Sequence, residues 1–182
     1  LQSFINGRLL NGLKRVEDAQ LLFGSGTGNN LHGIYTQATA YSAPITIASP
    51  TRVDTMRLAM LQAALADVFA TGHVLHMHDW TAIELLKDTT GAYLFTNPFS
   101  PNTPSLWGLP VAETNHAAMA SKFLTGSFAE AAQIFDREDA NVVISTENAD
   151  DFEKNMISVR CEERLALAVY RPEAFVKGEF PA

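Results

Sequence analysis

The sequence NMISVRCEERLALAVYRP, residues 155–172, places a cluster of charges inside an otherwise apolar run. The apolar residues on either side of the charges predict two short strands, 156–161 and 165–170. The charges have two interpretations. They form salt bridges on a sheet surface, or they pair across an interface in a subunit that assembles and so help to select its partner. The residues of this stretch alone leave both interpretations open.

Upstream of this stretch, the spacing of apolar residues predicts two helices. Leucine, isoleucine and valine recur every three to four residues over 1–22, which indicates one long amphipathic helix. The glycine-rich run 24–30 is expected to end it, because glycine tolerates the backbone angles of a turn. A second helix is predicted over 51–70, with Thr51 or Asp54 as its N-terminal cap.

The second half of the chain is predicted to consist mainly of short strands. A strand over 73–77 is followed by a short helix over 80–86, for which Asp79 resembles an N-cap. The other predicted elements are a helix over 128–133, an exposed proline-rich loop over 96–106, and strands over 92–95, 110–113, 121–124 and 142–145. Long helices segregated from short, mostly antiparallel strands indicate an α+β fold.

Composition excludes several classes of protein. The 182 residues are 47% hydrophobic and 18% charged, which is typical of a folded chain rather than a disordered one. A net charge of −7 without a cluster of Lys and Arg argues against specific nucleic-acid binding. The single cysteine, Cys161, excludes a disulfide within the chain. No apolar run reaches the roughly 18 residues of a membrane helix, and no signal-peptide pattern is visible.

Three groups of residues could carry chemistry, and each has a plainer explanation. Gly24, Gly26 and Gly28 follow a helix rather than a strand and match neither a dinucleotide-binding nor a Walker A motif, so a turn is expected. His73 is predicted to point away from the face shared by His76 and His78, so these histidines with Asp79 are not expected to hold a metal ion. Cys161 lies in an apolar run, where cysteines are usually inert. No metal or cofactor is therefore expected.

Short motifs along the chain add a more specific indication. They are Leu1-Gln2-Ser3, Ile5-Asn6, Arg8-Leu9, Leu21-Leu22, Gly26-Thr27-Gly28, Asn30-Leu31, Gly33, Asp79-Trp80, Leu85-Leu86-Lys87-Asp88, Trp107-Gly108-Leu109-Pro110-Val111, Asp136-Arg137, Asn155-Met156, the run from Cys161 to Ala168, and Tyr170-Arg171-Pro172. In this order they resemble tailed-bacteriophage major capsid proteins of the Hong Kong 97 type, over essentially the whole chain.

The resemblance implies the Hong Kong 97-like fold, with two lobes. A peripheral lobe would contain a long spine helix, residues 1–22, and the sheet strands of 133–169. An axial lobe of mixed α/β structure would contain 23–132 and the C-terminal segment 170–182. Because Leu1 already lies in the spine helix, the chain is expected to be a C-terminal fragment that lacks the family's N-terminal arm and extended loop.

The resemblance also implies a cross-linking site. In some family members a lysine on the extended loop attacks an asparagine amide of another subunit, while a glutamate of a third subunit accepts the proton. The matching positions are Asn155 as the acceptor and Glu162 as the base. The lysine would belong to the loop that precedes this chain, so this chain alone could not form the bond.

The function that the resemblance implies is that of a structural subunit. Copies of it would assemble through pentamers and hexamers into an icosahedral phage or prophage shell around DNA, in the host cytoplasm. Its partners would be other copies of itself, without specific nucleic-acid binding or membrane association. One alternative is the shell protein of an encapsulin-like nanocompartment, and a more distant one is a small metal- or nucleotide-binding enzyme.

Overall fold

The computed structural model describes residues 2–94, 103–148 and 151–180. It confirms a mixed fold of helices and sheets, and the chain divides into two compact units. Unit 1 comprises Leu1–Thr36 and Ile134–Ala168, and unit 2 comprises Gln37–Gln133 and Val169–Ala182. No helix in the described ranges is long and apolar enough to cross a membrane.

Unit 1 consists largely of one helix and two long strands. Helix α1 covers Gln2–Phe23, close to the predicted 1–22, and none of its described residues is buried. Strands β6, Ala132–Ser145, and β7, Ser158–Val169, pair to form a two-stranded sheet. The sequence pattern predicted two strands where β7 is continuous, and it found only the last part of β6. The charged residues Arg160, Glu162 and Arg164 of β7 form ion pairs on the strand surface and do not interrupt the strand.

Unit 2 is built on a six-stranded sheet, in the order β1-β8-β5-β2-β4-β3. Three of its five pairings are antiparallel, whereas β1 with β8 and β2 with β4 are parallel. The strands are β1 Thr39–Ala40, β2 Gly72–His76, β3 Ser105–Leu106, β4 Leu109–Thr114, β5 Lys122–Gly126 and β8 Phe175–Glu179. The helices are α2 Ile34–Gln37, which begins in unit 1, α3 Arg52–Leu65 and α4 Met77–Glu84. The core lies where α3 and α4 cover the sheet, around Met56, Leu75, Ile83 and Phe123.

Helix α3 begins as predicted and ends early. The Thr51 hydroxyl accepts a hydrogen bond from the Asp54 amide, while the Asp54 carboxylate accepts one from the Thr51 amide, which forms a capping box. The helix ends at Leu65 rather than residue 70. Asp67 has a positive φ of 58°, which right-handed helical backbone does not adopt.

Helix α4 begins at Met77, so the prediction that Asp79 caps it is wrong. The cap is His76, whose Nδ1 accepts a hydrogen bond from the His78 amide. Asp79 is buried instead. It forms an ion pair with Arg52 at 3.0 Å and accepts a hydrogen bond from the Ser121 amide. An aspartate just before a helical pattern is typical of an N-cap, and the local pattern could not reveal the buried ion pair that Asp79 forms instead.

Two other local predictions are wrong. Residues 128–130 form a turn that leads directly into β6, so the predicted helix over 128–133 is absent. Residues 92–94 form no strand apart from one bridge between Tyr93 and Lys87, and residue 95 lies outside the described ranges. Residues 96–102 of the predicted proline-rich loop also lie outside them, and Ser105–Leu106 at its end is a strand.

In the pairing of β5 with β8, a phenylalanine of each strand lies opposite a glycine of the other. Phe123 lies opposite Gly178, and Phe175 lies opposite Gly126. A Cβ atom on Gly178 would lie 2.6 Å from Cζ of Phe123, and one on Gly126 would lie 2.5 Å from the Ala174 carbonyl oxygen. Both phenylalanines are fully buried, so neither ring can move into solvent. Each glycine therefore provides the space that a cross-strand ring occupies.

We expect Gly178→Ala to destabilise unit 2 by about 1–3 kcal/mol, because the new methyl group would overlap the buried ring of Phe123. Gly12→Ala is the matched control. Its Cβ meets no atom within 4 Å, and replacing a helical glycine should stabilise α1 by about 0.5–1 kcal/mol. Urea denaturation measures both changes. Equal effects of the same sign would contradict this account of the β5–β8 pairing.

His73 is a neutral core residue. Its Nε2 lies 3.3 Å from the Leu106 carbonyl oxygen, which can only accept, so Nε2 donates. Its Nδ1 therefore accepts a hydrogen bond from the Thr125 hydroxyl at 3.0 Å. Burial lowers the pKa of His73 from 6.5 to about 4, against the opposing effect of the Leu106 carbonyl.

The lowered pKa of His73 predicts acid sensitivity. Between pH 6.5 and 4 the unfolded chain binds a proton at this residue that the folded chain does not, so stability falls as the pH decreases through this window. The loss between pH 7.5 and 4.5 should be about 2–3 kcal/mol larger than in His73→Gln, which keeps a donor and an acceptor but does not titrate. Identical pH dependence of urea denaturation in both proteins would refute this.

Candidate functional site

The turn between β6 and β7 carries Asn155, the predicted cross-link acceptor. Asn155 has a positive φ of 54°, a left-handed conformation that asparagine tolerates better than most residues. It is exposed, and among the described residues its side-chain amide has no hydrogen-bonding partner. The carboxamide is therefore accessible to a nucleophile from outside the chain.

The base of this turn is held by Asp151, which is buried. The Asp151 amide donates to the Asn148 carbonyl at 2.9 Å, and the Asp151 carbonyl accepts from the Met156 amide at 2.8 Å. Its carboxylate accepts a hydrogen bond from the Ser158 hydroxyl, at the first residue of β7. The turn that presents Asn155 is therefore fixed at its base, and Asp151 is a residue that the sequence analysis did not single out.

Large apolar side chains surround Asn155 along the chain. Phe152 is 84% exposed and Ile157 is 63% exposed, and Met156 and Val159 are also exposed. Four large apolar residues within eight positions are therefore exposed around Asn155. An exposed patch of this kind is typical of a surface that another protein covers.

Glu162, the predicted base, lies on β7 and forms an ion pair. Its Oε1 is 2.9 Å from Nη2 of Arg160, two residues earlier on the same face of the strand. The next residue on that face, Arg164, pairs with Glu138 of β6 at 3.3 Å. Arg160, Glu162 and Arg164 thus form salt bridges on a sheet surface. The role of these charges in an interface stays a prediction.

Glu163 belongs to a different environment from Glu162. It helps to raise the pKa of Glu17 on α1, which burial raises first and which Asp18 and Asp136 also raise, against the opposing effect of Lys14. Glu163 therefore lies close enough to Glu17 to help raise its pKa, whereas Glu162 is not among the groups that do so.

A single chain does not bring Asn155 and Glu162 together. Four steps along the extended strand, about 13 Å, separate Ser158 at the base of the turn from Glu162. Within the described residues the two side chains share no hydrogen bond. Within one chain the structure therefore shows no direct bond between these two positions.

The glycine run forms a closed turn. The Gly24 amide donates to the Gln20 carbonyl, the Gly26 amide to the Leu31 carbonyl, and the Gly33 amide to the Gly24 carbonyl. A Cβ on Gly24 would lie 2.1 Å from the Leu31 oxygen, so glycine is required by this close approach. These amides bond within the chain and do not form an open cradle for a phosphate.

The histidine segment is divided among different roles. His73 is buried in the core, His76 caps α4 and His78 lies on that helix, so the prediction that His76 and His78 share a strand face is wrong. Across the described ranges, no three His, Cys, Asp or Glu side chains are grouped as metal ligands would be. Cys161 is partly buried on β7 and is not disulfide-bonded.

Comparison with known proteins places this arrangement in a family. The model of the phage capsid family matches residues 1–180. The chain belongs to the phage capsid family. It is 47% identical over 180 residues to the major capsid protein of Enterobacteria phage HK97, an alignment that covers 99% of the chain and 46% of that protein. The chain thus spans about half the length of the curated relative that it matches.

Solved structures agree on the fold. The capsid of an empty GTA particle matches with a TM-score of 0.72 and 19% identity, over all of this chain and 67% of that one. A structure from Gordonia phage Cozz matches with a TM-score of 0.75 and 16% identity, over all of this chain and 64% of that one. At these identities the likeness shows the fold alone, and it confirms the predicted Hong Kong 97-like class.

Proposed function

We propose that this phage capsid family chain is part of the major capsid protein of a phage or prophage. Copies of that protein would assemble through pentamers and hexamers into an icosahedral shell around DNA, in the host cytoplasm. The identity with the HK97 major capsid protein supports the proposal, and the observation that carries it is the unburied apolar surface of unit 1.

The exposure of apolar side chains in unit 1 is clearest in helix α1. None of its 22 residues is buried, and Phe4 and Val16 are 67% and 58% exposed. A helix gains most of its stability from tertiary packing of an apolar face, and a two-stranded sheet is marginal by itself. Ile134, Phe135, Val143 and Ile144 of β6 are exposed as well. Neighbouring copies in a shell would supply the missing contacts.

The two units fit the two lobes that the family resemblance implies. We assign unit 1, with the long helix and the β6–β7 sheet, to the peripheral lobe. We assign unit 2, with the six-stranded sheet, to the axial lobe that gathers around the symmetry axes. In this assignment the protein acts as a structural subunit and has no separate substrate.

We further propose that Asn155 accepts an isopeptide cross-link and that Glu162 of another copy acts as the base. The exposure of Asn155 and its free amide support the first role, and the separation of the two side chains along the chain supports the second. A lysine of a third copy would attack the Asn155 carboxamide carbon. One C–N bond forms, one breaks, and the amide nitrogen leaves as ammonia.

Assembly is tested with the full-length protein that contains this chain. We expect electron microscopy of the purified protein to show closed spherical particles, because copies are needed to cover the apolar surfaces of unit 1. This chain alone should remain monomeric or form small oligomers in analytical ultracentrifugation. A full-length protein that stays a soluble monomer would overturn the shell function.

Cross-linking is tested on a denaturing gel of assembled particles. We expect ladders of covalent oligomers that Asn155→Asp abolishes, because a carboxylate is not attacked by an amine under these conditions. Glu162→Gln should slow the ladder by about 10²-fold, the lower range for loss of a general base. The controls are Asn29→Asp, an exposed asparagine of the same unit, and Glu153→Gln in the same turn. Ladders that persist in Asn155→Asp would rule out this acceptor.

A further inference from the structure

Two arginines on one face of β7 have different partners. Arg160, Glu162 and Arg164 alternate along the strand and therefore share a face. Arg160 places Nη2 2.9 Å from Oε1 of Glu162, whereas Arg164 places Nε 3.3 Å from Oε2 of Glu138. The two side chains are similarly exposed, at 68% and 62%. Arg160 is thus the arginine that pairs with Glu162, and Arg164, which pairs with Glu138, serves as the matched control.

We propose that Arg160 is a positioning residue for cross-linking: it holds Glu162 by Oε1, keeps it ionised once a neighbouring copy covers it, and leaves Oε2 to receive the lysine proton. This inference rests on the proposed cross-linking function of Asn155 and Glu162. Arg160 touches neither the lysine nor the asparagine, so it acts through Glu162 alone.

Desolvation is the reason that Glu162 needs a cation. In the single chain the pair is screened by water, and an exposed ion pair of this kind contributes little. The Glu162 side chain is already only 31% exposed, and a copy that brings a lysine to it would cover it further. A carboxylate that is desolvated without a cation takes up a proton and becomes neutral. A neutral carboxylic acid cannot accept the proton of the lysine.

Arginine is suited to this task because it remains protonated in proteins. Its guanidinium also fixes the side-chain rotamer of Glu162 through a charge-assisted hydrogen bond. Two other sets of charged groups lie on the elements of unit 1. Arg164 is paired with Glu138 of β6, and Glu163, Asp18, Asp136 and Lys14 act on Glu17 of α1.

The reaction balances without any added reactant. The lysine Nζ bonds to Cγ of Asn155, and Oε2 of Glu162 takes the proton that the nitrogen releases. The bond from Cγ to Nδ2 then breaks, and the proton passes to the departing nitrogen, which leaves as ammonia. Glu162 returns to its ionised form, and Arg160 neither gains nor loses a proton.

The experiment compares Arg160→Leu with Arg164→Leu in assembled particles of the full-length protein. Particles are counted by electron microscopy, and the cross-linking rate is then measured on denaturing gels as a function of pH. We expect Arg160→Leu to move the acidic limb of the rate profile upward by about one pH unit, the lower range for loss of an adjacent opposite charge. Rates on that limb should fall about tenfold. Arg164→Leu should follow the wild-type profile.

Arg160→Lys is a second variant, which retains the charge and should retain the position of the acidic limb even if Arg160→Leu particles do not form. A lysine variant whose limb moves upward as far as expected for leucine would overturn the inference. So would equal profiles for Arg160→Leu and Arg164→Leu, or a uniform loss of rate without a shift in pH. An absence of ladders in wild-type particles would instead refute the cross-linking function itself.

Discussion

The antiparallel pairing of β5 with β8 holds unit 2 together. Phe123 and Phe175 are fully buried, and each lies opposite a glycine on the other strand. The register of the two strands is therefore fixed, because each ring occupies the space that the missing side chain of the opposite glycine leaves. A slip by one residue would place each ring against a side chain and reverse the faces of β8. Through β5 this register extends to β2, and it places the C-terminal strand β8 inside the sheet, between β1 and β5.

Unit 1 has the opposite character, because it has few buried residues. The helix α1 and the sheet of β6 and β7 leave large apolar side chains exposed, and the polar positions are joined in ion pairs on the strand surface. A folded domain that has a surplus of apolar surface is stable only to the extent that something covers it. The difference in burial between the two units supports the proposed role as a shell subunit.

The chemistry proposed for the β6–β7 turn depends on this uncovered state. Asp151 fixes the turn from below, and Asn155 extends into solvent with its amide unpaired within the described residues. Glu162 lies further along β7 with an arginine on one oxygen. In the proposed reaction both groups depend on neighbouring copies. Water keeps the ion pair weak, and the nucleophile has to come from another copy.

The sequence by itself determined the elements whose signals are local. Apolar spacing located α1 and the start of α3, the Thr51 and Asp54 pattern identified its cap, and the ordered motifs identified the family and, by resemblance, Asn155 and Glu162. It failed where distant residues decide. Asp79 is an ion-pair partner rather than a cap, which the local pattern could not show because Arg52 lies 27 positions away in the chain. Strand β7 runs unbroken through its charged residues, which the pattern of apolar residues had divided into two strands. Only the tertiary structure decided that Arg52 pairs with Asp79 and Arg164 with Glu138, since these ion pairs join residues on different elements and depend on distances in space that one-dimensional patterns do not contain.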